Sequence, residues 1–208
     1  LILIDIGNTS TKALENNIIK KYYKDEKLPR FSGNIFYISV NEEKEQEFLN
    51  INQNAKNLKE FIEFKTNYKG MGIDRVVASL FHKNAIIVDA GSAITVDIIE
   101  NSNHIGGFIL LGLNSIKKAY KDISCKLDFE FEKNINLDKI PLQSKDAISY
   151  ATLKSIILPI KEICNDKNII FTGGDGEFIS QFFENSQYKK DLIFENMKRI
   201  IDANNCTT

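Results

Sequence analysis

Leu1-Ile2-Leu3-Ile4-Asp5-Ile6-Gly7-Asn8-Thr9-Ser10-Thr11-Lys12 opens the chain, and its reading decides the fold. Four apolar residues run into an aspartate, then a glycine, then three small amide or hydroxyl residues. The apolar run reads as a strand buried on both faces. Gly7-Asn8 is a turn signal, because both residues tolerate positive φ. A second strand is expected from about Thr11. Asp5 then stands at the strand's end, where N–H groups of the turn point outward. Gly7 lets the backbone approach a phosphoryl oxygen, and Asn8, Thr9 and Ser10 offer donors. A carboxylate does not bind phosphate, but it can hold a Mg²⁺ that does. An ordinary hairpin with an aspartate at its turn has the same signature, so this stretch alone leaves both readings open.

Ile86-Ile87-Val88-Asp89-Ala90-Gly91-Ser92-Ala93-Ile94-Thr95-Val96-Asp97 repeats the design. It is again a buried strand, Asp-x-Gly, a small hydroxyl residue and an apolar strand. Two such hairpins suggest a duplicated α/β fold, each half giving one phosphate loop to a shared cleft.

The chain has 208 residues, 43% of them hydrophobic and 26% charged, which is the composition of a soluble globular protein. Its formal net charge of −1 gives no electrostatic case for nucleic acid or an anionic membrane as partner. No apolar run reaches the ~18 residues of a spanning helix. The opening strand has no basic lead-in, so no secretory signal is expected. Cys125, Cys164 and Cys206 are scattered and odd in number, which fits a reducing cytosol. His82 and His104 are the only histidines, and no Cys/His spacing suggests a metal site or a catalytic triad.

Along the chain, Asn16-Asn17 is a turn and residues 18–23 a third strand. Residues 24–30 form a charged connector, and 35–40 a strand. Asn41 can cap a Glu-rich helix through Leu49, with a short strand at 48–51. Residues 54–64 are helical or irregular. Gly70 and Gly72 precede a helix over 73–83 with Val76, Val77, Leu80 and Phe81 on one face. Strands at 85–89, 93–99 and 104–110 form a second meander, turning at 101–103, and Gly112 leads into a helix. Residues 127–142 read as an exposed connection. A long helix runs from Ser144 or Lys145 to Cys164, apolar at Ala147, Ile148, Ala151, Leu153, Ile156 and Ile157. A strand at 168–171 ends in Thr172-Gly173-Gly174, a helix reaches Phe183, a strand covers 192–194 and a last helix 195–203. Each half thus reads strand-strand-strand-helix-strand-helix.

Asp74-Arg75 opens the helix after two glycines. One reading is a helix-start carboxylate with a surface partner. The other is a functional pair facing a cleft. Thr172-Gly173-Gly174 is likewise either a plain strand–helix turn or a place where bare backbone meets a ligand.

Taken together, Asp5-Ile6-Gly7-Asn8-Thr9, Gly72-Ile73-Asp74-Arg75, Asp89-Ala90-Gly91-Ser92-Ala93-Ile94-Thr95-Val96-Asp97, Gly106-Gly107 and Thr172-Gly173-Gly174 occur in an order that resembles the type III pantothenate kinases. The resemblance spans nearly the whole chain. It implies a duplicated ribonuclease-H-like, actin-like ATPase fold, with two lobes of mixed sheets, 1–83 and 84–208, the terminal helix packing back on the first. It implies ATP contacts from Asp5, Ile6, Gly7, Asn8, Thr9, Ser10, Thr11 and Lys12, from Gly91, Ser92 and Ala93, and from Gly173 and Gly174. Asp5 would hold Mg²⁺, and Asp89 would line a site for K⁺ or NH₄⁺. Asp74 would be the catalytic base, and Tyr68, Gly72, Ile73, Asp74, Arg75 and Ser144 would line the pantothenate site. A homodimer in the cytoplasm is also implied. Ser92 and Ser144 stand where the family commonly has threonine, Leu111 where many members have proline, and Tyr68 lies closer to Asp74 than is usual.

The chemistry implied is transfer of the ATP γ-phosphoryl group to pantothenate's primary hydroxyl, Asp74 taking its proton and Arg75 pairing with its carboxylate. No Gly-x-x-x-x-Gly-Lys-Ser/Thr loop occurs, which disfavours the P-loop class. Two rivals remain. A non-catalytic nucleotide-binding regulator on the same scaffold could dispense with Asp5 and Asp74. Another acid- or sugar-directed kinase would not need Gly72-Ile73-Asp74-Arg75.

Overall fold

A computed structural model describes residues 1–165 and 167–204; Cys206 lies outside the described residues. The chain divides into two compact units, one of Leu1–His82 with the stretch from Asp191 onward, the other of Lys83–Lys190.

In the first unit, β1 (Ile2–Ile6), β2 (Ser10–Glu15) and β3 (Ile18–Tyr23) form a meander, followed by β4 (Ile35–Ser39), α1 (Glu42–Ile51), β5 (Lys56–Asn57) and α2 (Ile73–Ser79). The sheet order is β3-β2-β1-β4-β5, with the meander antiparallel and β1, β4 and β5 parallel. Asn16 and Asn17 both have positive φ, 50° and 64°, as a two-residue hairpin turn requires. As the central strand, β1 buries Ile2, Ile4 and Ile6 in a core with Ala13, Phe31, Ile35, Tyr37 and Phe48.

The second unit contains β6 (Ala85–Ala90), β7 (Ala93–Glu100), β8 (Asn103–Leu111), α3 (Leu113–Ile123), α4 (Ser144–Cys164), β9 (Ile169–Thr172), α5 (Gly176–Ser180) and β10 (Ser186–Tyr188). Its sheet order, β10-β9-β6-β7-β8, is the first order repeated, again with an antiparallel meander and three parallel strands. The duplication expected from the paired Asp-x-Gly hairpins is therefore present strand for strand. A buried Asp97–His104 pair at 2.9 Å clamps β7 to β8.

Several local expectations are corrected. Residues 48–51 are the last turn of α1, not a strand, because Phe48 is buried against Tyr37 in the core while Asn52 closes the helix. Asn52 also accepts the Phe31 N–H at 2.8 Å and donates to the Pro29 carbonyl, holding the charged connector down. That connector contains no helix, so the first half lacks the helix expected after its third strand. Residues 54–64 contain β5 and a 3₁₀ turn at Leu58–Phe61. α2 stops at Ser79, and Phe81 has a positive φ of 66°. In α4, Ala147 and Ala151 are exposed while Thr152 and Ile160 are buried. The 127–142 connection is only partly exposed, since Phe131, Ile135 and Leu137 rest on the second core. α5 ends at Ser180 rather than Phe183. Leu192, Ile193 and Phe194 begin a twelve-residue helix, α6 (Leu192–Ala203), whose buried Met197, Ile200 and Ile201 continue the helical period. α6 packs on α2 and β1, and Asn196 Nδ2 donates to the Val77 carbonyl at 2.8 Å.

Candidate active site

In the first unit, antiparallel pairing sets Asp5 opposite Lys12 and Ile6 opposite Thr11. The Gly7 N–H donates to the Ser10 carbonyl at 3.1 Å and closes the turn, leaving Asn8 and Thr9 exposed at its tip. Asp5 is the one position of β1 that is not fully buried, and its side chain is 14% exposed. Lys12 Nζ lies 4.0 Å from Asp5 Oδ2. The turn also backs onto a hollow lined by Tyr22, Tyr23, Lys24, Glu26 and Lys44, none of which the sequence reading singled out.

The Gly72–Arg75 corner has a specific geometry. Gly72 caps α2, and Asp74 folds its carboxylate back over that cap. Asp74 Oδ1 accepts the Arg75 N–H at 2.8 Å. A Cβ on residue 72 would collide with this same oxygen, so glycine at 72 makes room for the carboxylate rather than for an unusual φ. The first turn of a helix favours the ionised form of such a group. Arg75 is 6% exposed, and its guanidinium lies over the Tyr68 ring at 4.6 Å from the centroid. A surface partner for Asp74 would be solvated; this guanidinium is stacked and buried instead. Tyr68, Gly72, Ile73, Asp74 and Arg75 are thus gathered at one place in the unit.

In the second unit, Asp89 is the penultimate residue of β6 and lies beside Thr172 of β9. The Gly91 N–H donates to the Ala93 carbonyl at 3.0 Å, making the second tight turn. The start of α3 staples that turn: the Gly112 N–H donates to the Ser92 carbonyl at 3.1 Å and Ser115 Oγ to the same carbonyl at 2.6 Å. A Cβ at Gly112 would run into the Gly91 and Ser92 carbonyls. Gly173 has φ +83°, and a Cβ there would strike Asp89 Oδ1 and the Ala90 carbonyl. The Asp175 N–H donates to Ala90 at 3.0 Å, and Tyr188 Oη donates to the Gly173 carbonyl at 3.2 Å. Asp89, the Gly91–Ala93 turn and Gly173-Gly174 therefore share one end of this sheet. Ser144 is the exposed first residue of α4. Gly112 was read only as the start of a helix, and Ser115 and Tyr188 went unread, because their contacts are with distant backbone carbonyls and carry no local signal.

Among the described residues, no group of three or more His, Cys, Asp or Glu side chains is placed to hold a metal. The donor set does fit a Mg²⁺ that arrives on nucleotide phosphates. Such an ion keeps most of its waters and needs only one or two carboxylates, and Asp5 is a largely buried carboxylate that still reaches the surface beside the Gly7–Ser10 turn.

The model of the type III pantothenate kinase family matches residues 37–166. The type III pantothenate kinase of Campylobacter jejuni is 43% identical over 208 residues, covering 98% of each chain. A solved Campylobacter jejuni structure described as a Baf family transcriptional activator is 42% identical, with a TM-score of 0.89 over 99% of this chain and 100% of that one. A 2-dehydro-3-deoxygalactonokinase protein from Sinorhizobium meliloti shares the fold at 7% identity, with a TM-score of 0.57 over 97% and 98% of the two chains.

Proposed function

The chain belongs to the type III pantothenate kinase family, and on that premise we propose that it transfers the γ-phosphoryl group of ATP to the primary hydroxyl of pantothenate, the first step of coenzyme A biosynthesis. The observation that carries the reading to residues is the Gly72–Arg75 corner, where a helix-start carboxylate adjoins a buried, stacked guanidinium. In the reaction the bond from the γ-phosphorus to the bridging oxygen breaks, a bond to the substrate oxygen forms, and the hydroxyl proton goes to Asp74. Positioning and charge neutralisation supply most of the rate in such transfers. The Gly7–Thr11 and Gly91–Ala93 turns would each take a phosphate group through backbone N–H donors. A Mg²⁺ held from Asp5 would supply charge neutralisation at the triphosphate, and Lys12 adds a cation beside it. Arg75, kept in one orientation by Tyr68, would meet the substrate carboxylate; a planar guanidinium suits that group. Gly173-Gly174 would border the nucleoside, and Asp89 would line a site for K⁺ or NH₄⁺. We further propose a cytosolic homodimer, a compartment in keeping with the free thiols of Cys125 and Cys164.

A regulator that binds nucleotide without turnover is the second reading, favoured by the description of the Campylobacter jejuni structure. ADP release measured with and without pantothenate separates the two. The kinase reading expects release that depends on pantothenate and on Mg²⁺, and that is faster in potassium or ammonium than in sodium. Release that ignores pantothenate, or nucleotide binding with no release, would favour the regulator.

A further inference from the structure

The corner between β4 and α1, Ser39-Val40-Asn41, belongs to none of the motifs read for chemistry. It nevertheless touches both functional centres of the first unit. The Val40 N–H donates to the Ile6 carbonyl at 3.0 Å, immediately before Gly7. The Val40 side chain lies against Gly72, its Cγ1 3.4 Å from where a Cβ on that residue would sit. Asn41 Nδ2 donates to Asn8 Oδ1 at 3.4 Å, a long hydrogen bond to the exposed tip of the turn. The corner itself is cross-braced. Asn41 Oδ1 accepts the Lys44 N–H at 3.0 Å and so caps α1. Ser39 Oγ donates to the Asn41 carbonyl at 3.1 Å and accepts its N–H at 3.2 Å. Ser39 is also paired with Ile6 in the β1–β4 ladder. One braced corner thus stands against the phosphate turn on one side and the cap beneath Asp74 on the other.

We infer that Asn41 is a positioning residue for phosphoryl transfer. Its side chain restrains Asn8 and with it the tip of the phosphate turn, while Val40 beside it sets the turn's place relative to Gly72. This rests on the reading that the Gly7–Thr11 turn receives a phosphate and Asp74 a proton. Asn41 has two separable tasks, because serine also caps helices well but is too short to reach Asn8. Alanine loses both. Binding of Mg·ATP, thermal melting and steady-state kinetics are measured for wild type, Asn41→Ser and Asn41→Ala. Both variants should weaken Mg·ATP by about two- to tenfold, the worth of one net hydrogen bond. Only Asn41→Ala should melt earlier, and KM for pantothenate should stay unchanged in both. A capping role alone would leave Asn41→Ser identical to wild type in Mg·ATP binding, and that result overturns the inference. Should the wild-type protein bind Mg·ATP yet fail to phosphorylate pantothenate, the proposed reaction falls, while the binding comparison still decides the role of Asn41.

Discussion

Replacing Gly72 by alanine should disarm Asp74 while leaving the protein folded. Gly72 has φ −64° and ψ 147°, a conformation alanine adopts without strain. The backbone therefore has no reason to move. The added methyl group, however, would overlap Asp74 Oδ1, while it would meet Val40 Cγ1 at 3.4 Å and Asp74 Cγ at 3.5 Å in ordinary contact. The carboxylate has to rotate away, and it gives up the 2.8 Å hydrogen bond from the Arg75 N–H. Loss of a charge-assisted bond of this kind costs about 1.5–3 kcal/mol locally. Alanine is also a much poorer cap than glycine, so net destabilisation of about 2–4 kcal/mol is expected, within the stability of an ordinary domain. The catalytic effect is larger in proportion. Displacing a reacting group by about 1 Å can cost about 10²-fold, so kcat should fall by roughly 10- to 100-fold while Mg·ATP binding holds. The assay is coupled ADP release with pantothenate, run alongside a thermal melt. A folded Gly72→Ala protein whose kcat stays within about twofold of wild type would refute the argument, because the methyl group and the working carboxylate cannot share one position.

Further expectations follow from single groups. Asp5→Asn should shift the Mg²⁺ dependence of the rate to higher concentration with little change in KM for pantothenate; an unmoved Mg²⁺ titration would remove the metal role from Asp5. Gly173→Ala forces a side chain into φ +83° and onto Asp89 and Ala90, so it should lower the melting temperature and raise KM for ATP by about tenfold or more, and a neutral result would place the turn elsewhere. Burial, aided by its hydrogen bond to Glu45, pushes the Tyr37 phenol up to about 12. Its contribution to stability is thus complete below the ordinary tyrosine value of about 10 and is lost as pH rises towards about 12. Denaturation of wild type and Tyr37→Phe across that window should show the difference between them shrinking in wild type's disfavour; a gap independent of pH would contradict the assignment.

The central strands and the meanders were legible because each rests on local signals that agree, whereas the edge strands β5 and β10, two and three residues long, are too short to show a period. Apolar runs at Ile2–Ile6 and Ala85–Ala90 mark central strands, and Asn16-Asn17 and Asn101-Ser102 mark the hairpins, all four of these turn residues having positive φ. Short apolar runs misled where two periods fit equally. Leu192-Ile193-Phe194 is as good a buried strand as it is a first helical turn, and packing on α2 and β1 decides for the helix. Phe48-Leu49-Asn50-Ile51 failed for the same reason. The acidic and glycine-rich parts of the candidate site were visible in the sequence as motifs. The contacts that shape them were not: Tyr68 under Arg75, Gly112 against Ser92, Tyr188 on Gly173 and Asn41 on Asn8 join residues whose spacing has no local period. Glycine at 72 was readable as loosened backbone, whereas its steric service to Asp74 appears only once the carboxylate is seen folded over the helix cap.

The identity of the product tests the proposed phosphoryl transfer. Wild-type protein and Asp74→Asn are incubated with Mg·ATP and pantothenate, and the mixture is examined by phosphorus–proton correlation NMR. Wild type should give a new phosphate monoester coupled to the methylene protons of pantothenate's primary alcohol, formed in step with ADP. The same species should form about 10²–10⁴-fold more slowly with Asp74→Asn, the usual cost of losing a general base. Phosphate on the secondary hydroxyl, ADP without any phosphorylated pantothenate, or an unslowed Asp74→Asn protein would contradict the proposal.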